Sequence, residues 1–167
     1  MKINYPYLPE GRTIKYVPAD NPFMKEAEEV AHTMSSDKQH PTSVVLVMDG
    51  KVILKAANQS ALKNPQLLKL HKKGFCVRKL FKIKSGQKYW LCPGCASSRN
   101  HAETLLIKQA ERLGIKTEGG DIYHWGHWWC CEPCWNSMIR GGIRDVYLLE
   151  GSEKLFNPKV QGNIIGK

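Results

Sequence analysis

Two short segments, each at the start of an apolar-periodic run, restrict the possible folds more than any other part of the sequence. The first carries His101 and, two positions later, Glu103. The second carries Cys131 and, three positions later, Cys134. A zinc ion that takes part in chemistry uses three ligands of these kinds and leaves a fourth position open. The fold must therefore bring two helix starts to one point if these side chains are to act together.

The positions of these side chains suit zinc chemistry. A helix N-terminus carries partial positive charge and free N–H groups, and both stabilise the thiolate that binds zinc. The spacing of Cys131 and Cys134 puts both thiols on one side of a helical turn. Glu103, as a carboxylate that is not a ligand, can take a proton from a zinc-bound water and pass it on. Without the paired thiols, a helix-start histidine and a first-turn carboxylate that bind no metal are the simpler interpretations.

Local patterns predict alternating helices and strands around these segments. Asn21-Pro22 is typical of a helix start and predicts a helix over 22–35. Two apolar runs around Asp49-Gly50 predict a β-hairpin whose first strand is buried on both faces. The remaining predictions are an extended arm over 1–20, a short helix within 61–73, an irregular stretch over 74–100, a helix from His101 to a stop at Gly114, a strand at 121–125, a helix over 131–140 and a strand over 143–149, with the tail from Glu150 unassigned. This order predicts an α/β fold, a mixed central sheet flanked by helices.

Length, hydropathy and charge set broader limits. A chain of 167 residues with 42% hydrophobic residues is large enough to fold as one domain. No apolar run reaches the roughly 18 residues that span a bilayer, and the N-terminal residues have no apolar signal region. These features predict a protein of the cytoplasm with no membrane association. The formal charge of +10 suits a nucleotide phosphate or a nucleic acid, although a solvated lysine-rich surface explains it equally well.

The remaining four of the six cysteines suggest a second metal site. In a reducing compartment, Cys-x-x-Cys pairs are metal ligands or redox groups more often than structural disulfides. Cys76, Cys92 and Cys95 lie in the irregular stretch, which is long enough to need a device that holds it. The sequence predicts a second, structural zinc there, and the fourth ligand is one of Cys130, His71 or His127. The alternative is that Cys76 and Cys92 are unrelated buried thiols.

Several motifs resemble a known family. They are Asn58 after the hairpin, His101-Ala102-Glu103, Gly120-Asp121-Ile122-Tyr123, Cys131-x-x-Cys134, Gly142-Ile143-x-x-Val146-Tyr147, and the segment Cys76-Val77-Arg78 with Ile83-Lys84-Ser85-Gly86 and Cys92. Over about residues 22–149 the chain resembles the cytidine and deoxycytidylate deaminase superfamily, and within it the deoxycytidylate (dCMP) deaminases. The H-x-E motif followed by Cys-x-x-Cys is the signature of zinc deaminases. The resemblance implies a three-layer cytidine-deaminase-like fold, with residues 1–167 forming a single zinc-dependent domain around a core of about 22–149.

One departure from the family pattern concerns the residue before the first cysteine ligand. The family usually has Pro there, and this chain has Cys130. An alternative alignment matches Glu132-Pro133-Cys134 to the usual Glu-Pro-Cys and puts Ser137 at the second ligand. The second cysteine of the family is typically followed, about nine residues on, by the apolar residue that opens the next strand. Ile143 follows Cys134 by nine residues, which favours Cys131 and Cys134 as the ligands.

The resemblance also implies a reaction and roles for single residues. A zinc-activated water would attack C4 of cytosine, and Glu103 would protonate N3 and then the departing ammonia, so that dCMP becomes dUMP. Asn58 matches the position that contacts the sugar, although it is also a residue type that forms turns after strands. Arg78, Arg99 and Lys88 are candidates for a 5′-phosphate, or exposed cations. A homo-oligomer is expected of such enzymes.

Two other functions remain open at this point. The basic charge and the tryptophans at 125, 128 and 129 suit a deaminase that acts on a base within RNA or DNA. Those tryptophans equally suit an oligomer interface or the core. The last alternative is an inactive, zinc-stabilised module that binds nucleic acid, against which Glu103 argues, because a structural zinc site has no need of that carboxylate.

Overall fold

A computed structural model describes residues 3–83 and 87–165 of the chain. Five strands and six helices make up these residues. The strands are β1 Ile14–Val17, β2 Ser43–Met48, β3 Lys51–Ala57, β4 Asp121–Trp125 and β5 Asp145–Leu149. The helices are α1 Pro22–Met34, α2 Pro65–Lys72, α3 Val77–Leu80, α4 Ala102–Leu113, α5 Glu132–Arg140 and α6 Ser152–Leu155. Short 3-10 turns at Tyr89–Leu91 and Ser98–Asn100 complete the irregular stretch that precedes α4.

The five strands form one mixed sheet in the order β1-β5-β4-β2-β3. Strands β1, β5 and β4 run parallel to one another, and β2 is antiparallel to both β4 and β3. The predicted mixed α/β sheet is confirmed. The prediction of an extended arm over 1–20 missed β1, which pairs Ile14–Val17 with Val146–Leu149 at the sheet edge. The strand is only four residues long and its partner is distant in sequence, so no local pattern marks it.

The alternation of side chains along β2 separates two apolar layers. Val44 and Leu46 pack into a cluster with residues of α4 and α5. Val45 and Val47 point the other way and pack with residues of α1. The prediction that this strand is buried on both faces is therefore confirmed, and the sheet lies between α1 on one side and α4 with α5 on the other.

The residues predicted to start α1 and to close the β2–β3 hairpin have the expected hydrogen bonds and backbone angles. The Oδ1 atom of Asn21 accepts hydrogen bonds from the backbone N–H groups of Phe23 and Met24, at 3.0 and 3.1 Å. Helix α1 then ends at Met34, one residue before the predicted limit. Asp49 and Gly50 take φ values of 50° and 72°, as a two-residue primed turn requires. The hairpin turn thereby fixes the pairing of β2 with β3.

Substitution of a core leucine of α4 tests how much the apolar layer between this helix and the sheet contributes to stability. Leu106 is fully buried in the cluster that joins α4 to the sheet. We expect Leu106→Ala to lower the free energy of unfolding in urea by about 2–5 kcal/mol, because it leaves a cavity. The matched control is Leu113→Ala at the end of the same helix, where the side chain is 54% exposed. Equal losses of unfolding free energy in the two variants would contradict the assignment of this layer as the core.

Three further sequence predictions concern the rest of the chain. The short helix predicted within 61–73 is present as α2, and its Asn64 cap precedes Pro65. The Ile83-Lys84-Ser85-Gly86 motif lies outside the described residues except for Ile83. The unassigned tail contains α6. Among the helices of residues 3–83 and 87–165, none has both the length and the apolar character that a bilayer crossing demands.

Candidate active site and metal centre

The starts of α4 and α5 meet because these two helices pack side by side on one face of the sheet. His101 and Cys131 are the residues that immediately precede the two helices, and both have extended backbone. The chain reaches α5 from β4 through Gly126, whose φ is 93° and where a Cβ atom would lie 2.2 Å from the carbonyl oxygen of Pro41. A glycine is therefore required for this close passage to the head of α5.

His101, Cys131 and Cys134 form a compact donor cluster. The Nδ1 atom of His101 lies 3.5 Å from Sγ of Cys131 and 3.6 Å from Sγ of Cys134. Zinc bonds of about 2.3 Å to sulfur and about 2.0 Å to nitrogen, at tetrahedral angles, imply nitrogen–sulfur separations of about 3.5 Å. The donor atoms of the predicted ligand set therefore fit a zinc ion, and three protein ligands leave a fourth position open.

The electrostatics of the two thiols also suit a metal. A hydrogen bond with Cys134, together with one to His101, lowers the pKa of Cys131 to about 5. The same pairing with Cys131 raises the pKa of Cys134 well above the ordinary value for a thiol. One thiolate is therefore present at neutral pH without any metal, and the second proton leaves when a metal binds.

Glu103 lies in the first turn of α4 and is only 3% exposed. Burial raises its pKa, but the nearby imidazoles of His124 and His101 outweigh that effect, so the pKa falls below the ordinary value. Its Oε1 atom lies 3.7 Å from Nδ1 of His124. Glu103 is thus a buried, ionised carboxylate beside the donor cluster, which is the state that a proton acceptor needs.

His124 and Cys130 form the back wall behind Glu103. Both are fully buried, and Sγ of Cys130 lies 3.5 Å from Nδ1 of His124. Burial raises the pKa of Cys130 well above its ordinary value, so this side chain stays a neutral thiol. Sequence reasoning missed His124, although a signal existed. It lies two positions after the core residue Ile122 in β4, and the period of a strand puts both on the same face.

A cavity of about 410 Å³ opens over this cluster. Its lining includes Glu103, His101, Cys131, His124, His127 and Trp129. Of the segment 125–129, His127 and Trp129 line the cavity. The three tryptophans of this segment differ in role: Trp125 is buried against Phe156, with ring centroids 4.9 Å apart, Trp128 packs on the α1 side of the sheet, and Trp129 lines the cavity.

Asn58 lines the same cavity, but hydrogen bonds within the protein engage its carboxamide. Oδ1 accepts from the backbone N–H of Thr42 at 3.0 Å and from the hydroxyl of Ser35. Nδ2 donates to the carbonyl oxygen of His40 at 2.8 Å. The side chain therefore holds the 35–42 loop at the pocket wall, and its predicted contact with a sugar stays a prediction.

Arg78 also lines the cavity, and it is only 8% exposed. Its Nε atom donates to the carbonyl oxygen of Gln87 at 2.9 Å, and its guanidinium carbon lies 3.9 Å from the ring centroid of Tyr89. These contacts fix a positive charge at the pocket wall. Binding of a phosphate by this group stays a prediction.

The three remaining cysteines, Cys76, Cys92 and Cys95, come together with His71. Of the three alternatives for a fourth ligand, the structure brings His71 to this cluster. The predicted set that included Cys130 is corrected, because Cys130 lies with Glu103 and His124 instead. Cys130 lies in the loop before α5, which places its thiol beside the Glu103 carboxylate.

The fold and the site define the class of protein: an α/β fold with a Cys2His cluster and an adjacent buried carboxylate is that of the zinc-dependent deaminases. The model of the cytidine and deoxycytidylate deaminase zinc-binding region matches residues 18–150. The chain belongs to this family, and zinc is its cofactor. No curated protein matches the sequence significantly.

Solved structures of other deaminases are similar to this chain at low sequence identity. The apo dCMP deaminase of cyanophage S-TIM5 has a TM-score of 0.46 and 15% identity, over 80% of this chain and 86% of that one. A tRNA:A34 deaminase has a TM-score of 0.43 and 22% identity, over 76% of this chain and 75% of that one. The guanine deaminase of Bacillus subtilis has a TM-score of 0.41 and 17% identity, over 75% of this chain and 60% of that one.

Proposed function

We propose that the protein catalyses the hydrolytic deamination of a cytosine nucleotide, converting dCMP to dUMP and ammonia. The observation that carries the proposal is the shared pocket of Glu103 and the three donor atoms. His101, Cys131 and Cys134 would hold the zinc ion. When bound, zinc supplies a Lewis acid that lowers the pKa of a water molecule and makes it nucleophilic.

Glu103 is the proton carrier in this proposal. As a buried, ionised carboxylate it takes one proton from the attacking water and delivers it to N3 of the cytosine ring. It then takes the proton of the new C4 hydroxyl and delivers it to the amino group, so that the C4–N bond breaks, ammonia leaves and C4 becomes a carbonyl. His124 and Cys130 contact the carboxylate from behind and restrict its rotation. Glu103 is only 3% exposed, so little water competes with the substrate for its proton.

The most direct experiment measures ammonia release from dCMP, cytidine and a cytosine-containing oligonucleotide by the zinc-loaded protein, with Glu103→Gln as the control. We expect turnover of dCMP that the variant lacks. Turnover of the oligonucleotide alone would overturn dCMP as the substrate. The absence of any turnover, with zinc bound, would favour an inactive module that binds nucleic acid.

Arg78 supports the choice of a 5′-phosphorylated substrate, because it places a positive charge at the pocket wall. We expect Arg78→Ala to raise KM for dCMP by about 10-fold or more, since a charge-assisted hydrogen bond contributes about 1.5–3 kcal/mol. Deoxycytidine, which lacks the phosphate, should show a much smaller change. Steady-state kinetics with both substrates separate this role from a general loss of structure.

The matched control for Arg78→Ala is Lys116→Ala, which removes an exposed cation from the loop before β4. This variant should leave the kinetics with both substrates unchanged. An equal rise in KM for dCMP and deoxycytidine in Arg78→Ala would show that Arg78 acts through the structure of the pocket wall, and the phosphate contact would then be rejected.

A second candidate substrate is a cytosine within single-stranded RNA or DNA. No Asp or Glu lies between Asp49 and Glu103, whereas this stretch contains many Lys residues. Exposed aromatic side chains lie among them, including Phe75, Phe81 and Trp90. Cations that follow a phosphate backbone, together with aromatic rings that stack on bases, are typical of single-strand binding. The oligonucleotide in the ammonia assay tests this candidate.

We further propose that residues 1–167 act as one folded unit, that this unit forms a homo-oligomer and that it works in the cytoplasm. All six cysteines are free, which suits a reducing compartment. Leu80 and Trp90 are 77% and 79% exposed and offer apolar surface to a second copy. Light scattering on the purified protein would give its mass in solution, and a monomer at micromolar concentration would contradict the oligomer.

A further inference from the structure

The four side chains His71, Cys76, Cys92 and Cys95 have the geometry of a closed metal site. Their donor atoms all lie within 4.8 Å of one another. Sγ of Cys76 is 3.7 Å from Sγ of Cys92 and 3.5 Å from Sγ of Cys95. Sγ of Cys95 is 3.5 Å from Nε2 of His71. A tetrahedral zinc site implies sulfur–sulfur separations of about 3.8 Å and sulfur–nitrogen separations of about 3.5 Å.

We propose that these four side chains bind a second zinc ion, which is structural and holds one wall of the catalytic pocket. Three thiolates and one imidazole fill all four tetrahedral positions, so no position is left for water or substrate. The site is separate from the cluster of His101, Cys131 and Cys134, with which it shares no ligand.

The backbone around Cys92 and Cys95 is shaped for a metal. The N–H groups of Gly94 and Val77 donate hydrogen bonds to the sulfur of Cys92, and these bonds stabilise a thiolate. A Cβ atom at Gly94 would lie 2.3 Å from Cδ2 of His71, so only glycine lets this turn pack against the imidazole. The side-chain amide of Gln39 donates to the carbonyl oxygen of His71 and anchors the residue from the other side.

The segment that carries the four ligands has little apolar support of its own. Phe75, Leu80, Phe81 and Trp90 are each more than two-thirds exposed. Cys76 and Cys92 are buried, yet neither belongs to the two apolar clusters that flank the sheet. The irregular segment therefore lacks the packing that normally stabilises a fold, and a metal bound by four of its side chains would supply that stability.

The same segment forms part of the catalytic pocket. Cys76, Arg78, Tyr89 and Cys95 all line the cavity. Nη1 of Arg78 lies 3.6 Å from Sγ of Cys95, and its guanidinium stacks on the ring of Tyr89. A metal on Cys95 would consequently set the position of Arg78 at the pocket wall. This coupling, unlike the metal site itself, rests on the proposed deaminase function.

The zinc content of the unmodified protein, measured after dialysis against a mild chelator, is the first test. We expect two zinc ions per chain by mass spectrometry of the metal. A content of one per chain that falls to zero in Cys131→Ser would overturn the second site. Neither protein carries a change among His71, Cys76, Cys92 and Cys95, so this test stands even if changes in that cluster prevent folding.

Variants then assign the two ions. Cys92→Ser and His71→Ala should each retain one zinc, and Gly94→Ala should release one of its two zinc ions to a chelating dye faster than the unmodified protein does. Cys130→Ser is the matched control and should retain two, because its thiol lies outside both donor clusters. Loss of one zinc in Cys130→Ser, with two retained in His71→Ala, would overturn the ligand set.

The test of the second zinc site can succeed or fail independently of the test of the proposed deaminase function. A protein that binds two zinc ions but does not deaminate any cytosine substrate would retain the second site and lose the proposed function. A protein that deaminates dCMP with one zinc per chain would retain the proposed function and lose the second zinc site. If the coupling to Arg78 holds, Cys92→Ser should raise KM for dCMP more than it lowers kcat.

Discussion

Replacement of Glu103 by Gln is expected to lower the rate of dCMP deamination by a factor of about 10²–10⁴, the usual contribution of a positioned acid–base group. Gln has nearly the same shape as Glu, so the packing of this 3% exposed side chain should persist. It cannot accept a proton at neutral pH, however. The loss should therefore fall mainly on kcat, and the zinc content should stay that of the unmodified protein.

The matched control for this prediction lies on the same helix. Glu111 of α4 is exposed and pairs with Arg140 at 3.3 Å, away from the pocket. Glu111→Gln should change the rate by less than twofold, since an exposed ion pair contributes about 0–1 kcal/mol to stability and does not touch the site. A Glu103→Gln variant that keeps more than half of the rate would exclude Glu103 as the proton carrier.

Replacement of Cys131 by Ser is expected to remove one zinc ion and to reduce deamination to the level of a reaction without enzyme. A serine hydroxyl does not ionise at neutral pH, so it does not replace the thiolate that zinc requires. The same result is expected for Cys134→Ser. Metal analysis and ammonia release on the same preparations provide the two measurements.

The alignment of the motif is decided by Ser137→Ala and Cys131→Ser, with Cys130→Ser as the control. Its sulfur faces His124 and lies outside the donor cluster, so this variant should keep its zinc. Ser137→Ala removes the second ligand of the alternative alignment, and we expect this variant to keep its zinc as well. Loss of zinc in Ser137→Ala, with zinc retained in Cys131→Ser, would restore that alignment.

The parts of the fold that the sequence predicts well are those with local causes. Asn21 caps α1 through its own side chain, and Asp49-Gly50 closes the hairpin through its own backbone. The resemblance to the family favours the ligand set, because the nine residues from Cys134 to Ile143 match the family's spacing between its second cysteine and the next strand. The structure brings those ligands to donor distances that fit zinc.

The parts that could not be predicted depend on contacts between distant segments. β1 is a strand only because β5 lies beside it. His71 was one of three alternatives, and only the packing of α2 against the turn at Gly94 selects it. His124 is placed behind Glu103 by the pairing of β4 with β2. Apart from the strand alternation that puts His124 on the same face as Ile122, none of these relations leaves a pattern in a short window of sequence.

The two donor clusters follow one another along the chain without interleaving. All the ligands from His71 to Cys95 come before His101, the first ligand of the other cluster. Each cluster therefore closes its own loop, and the entropy of closing one loop does not depend on the other. The segment between β3 and α4 therefore holds all four side chains of its own cluster, and a change in its length would leave the loop from His101 to Cys134 unaltered.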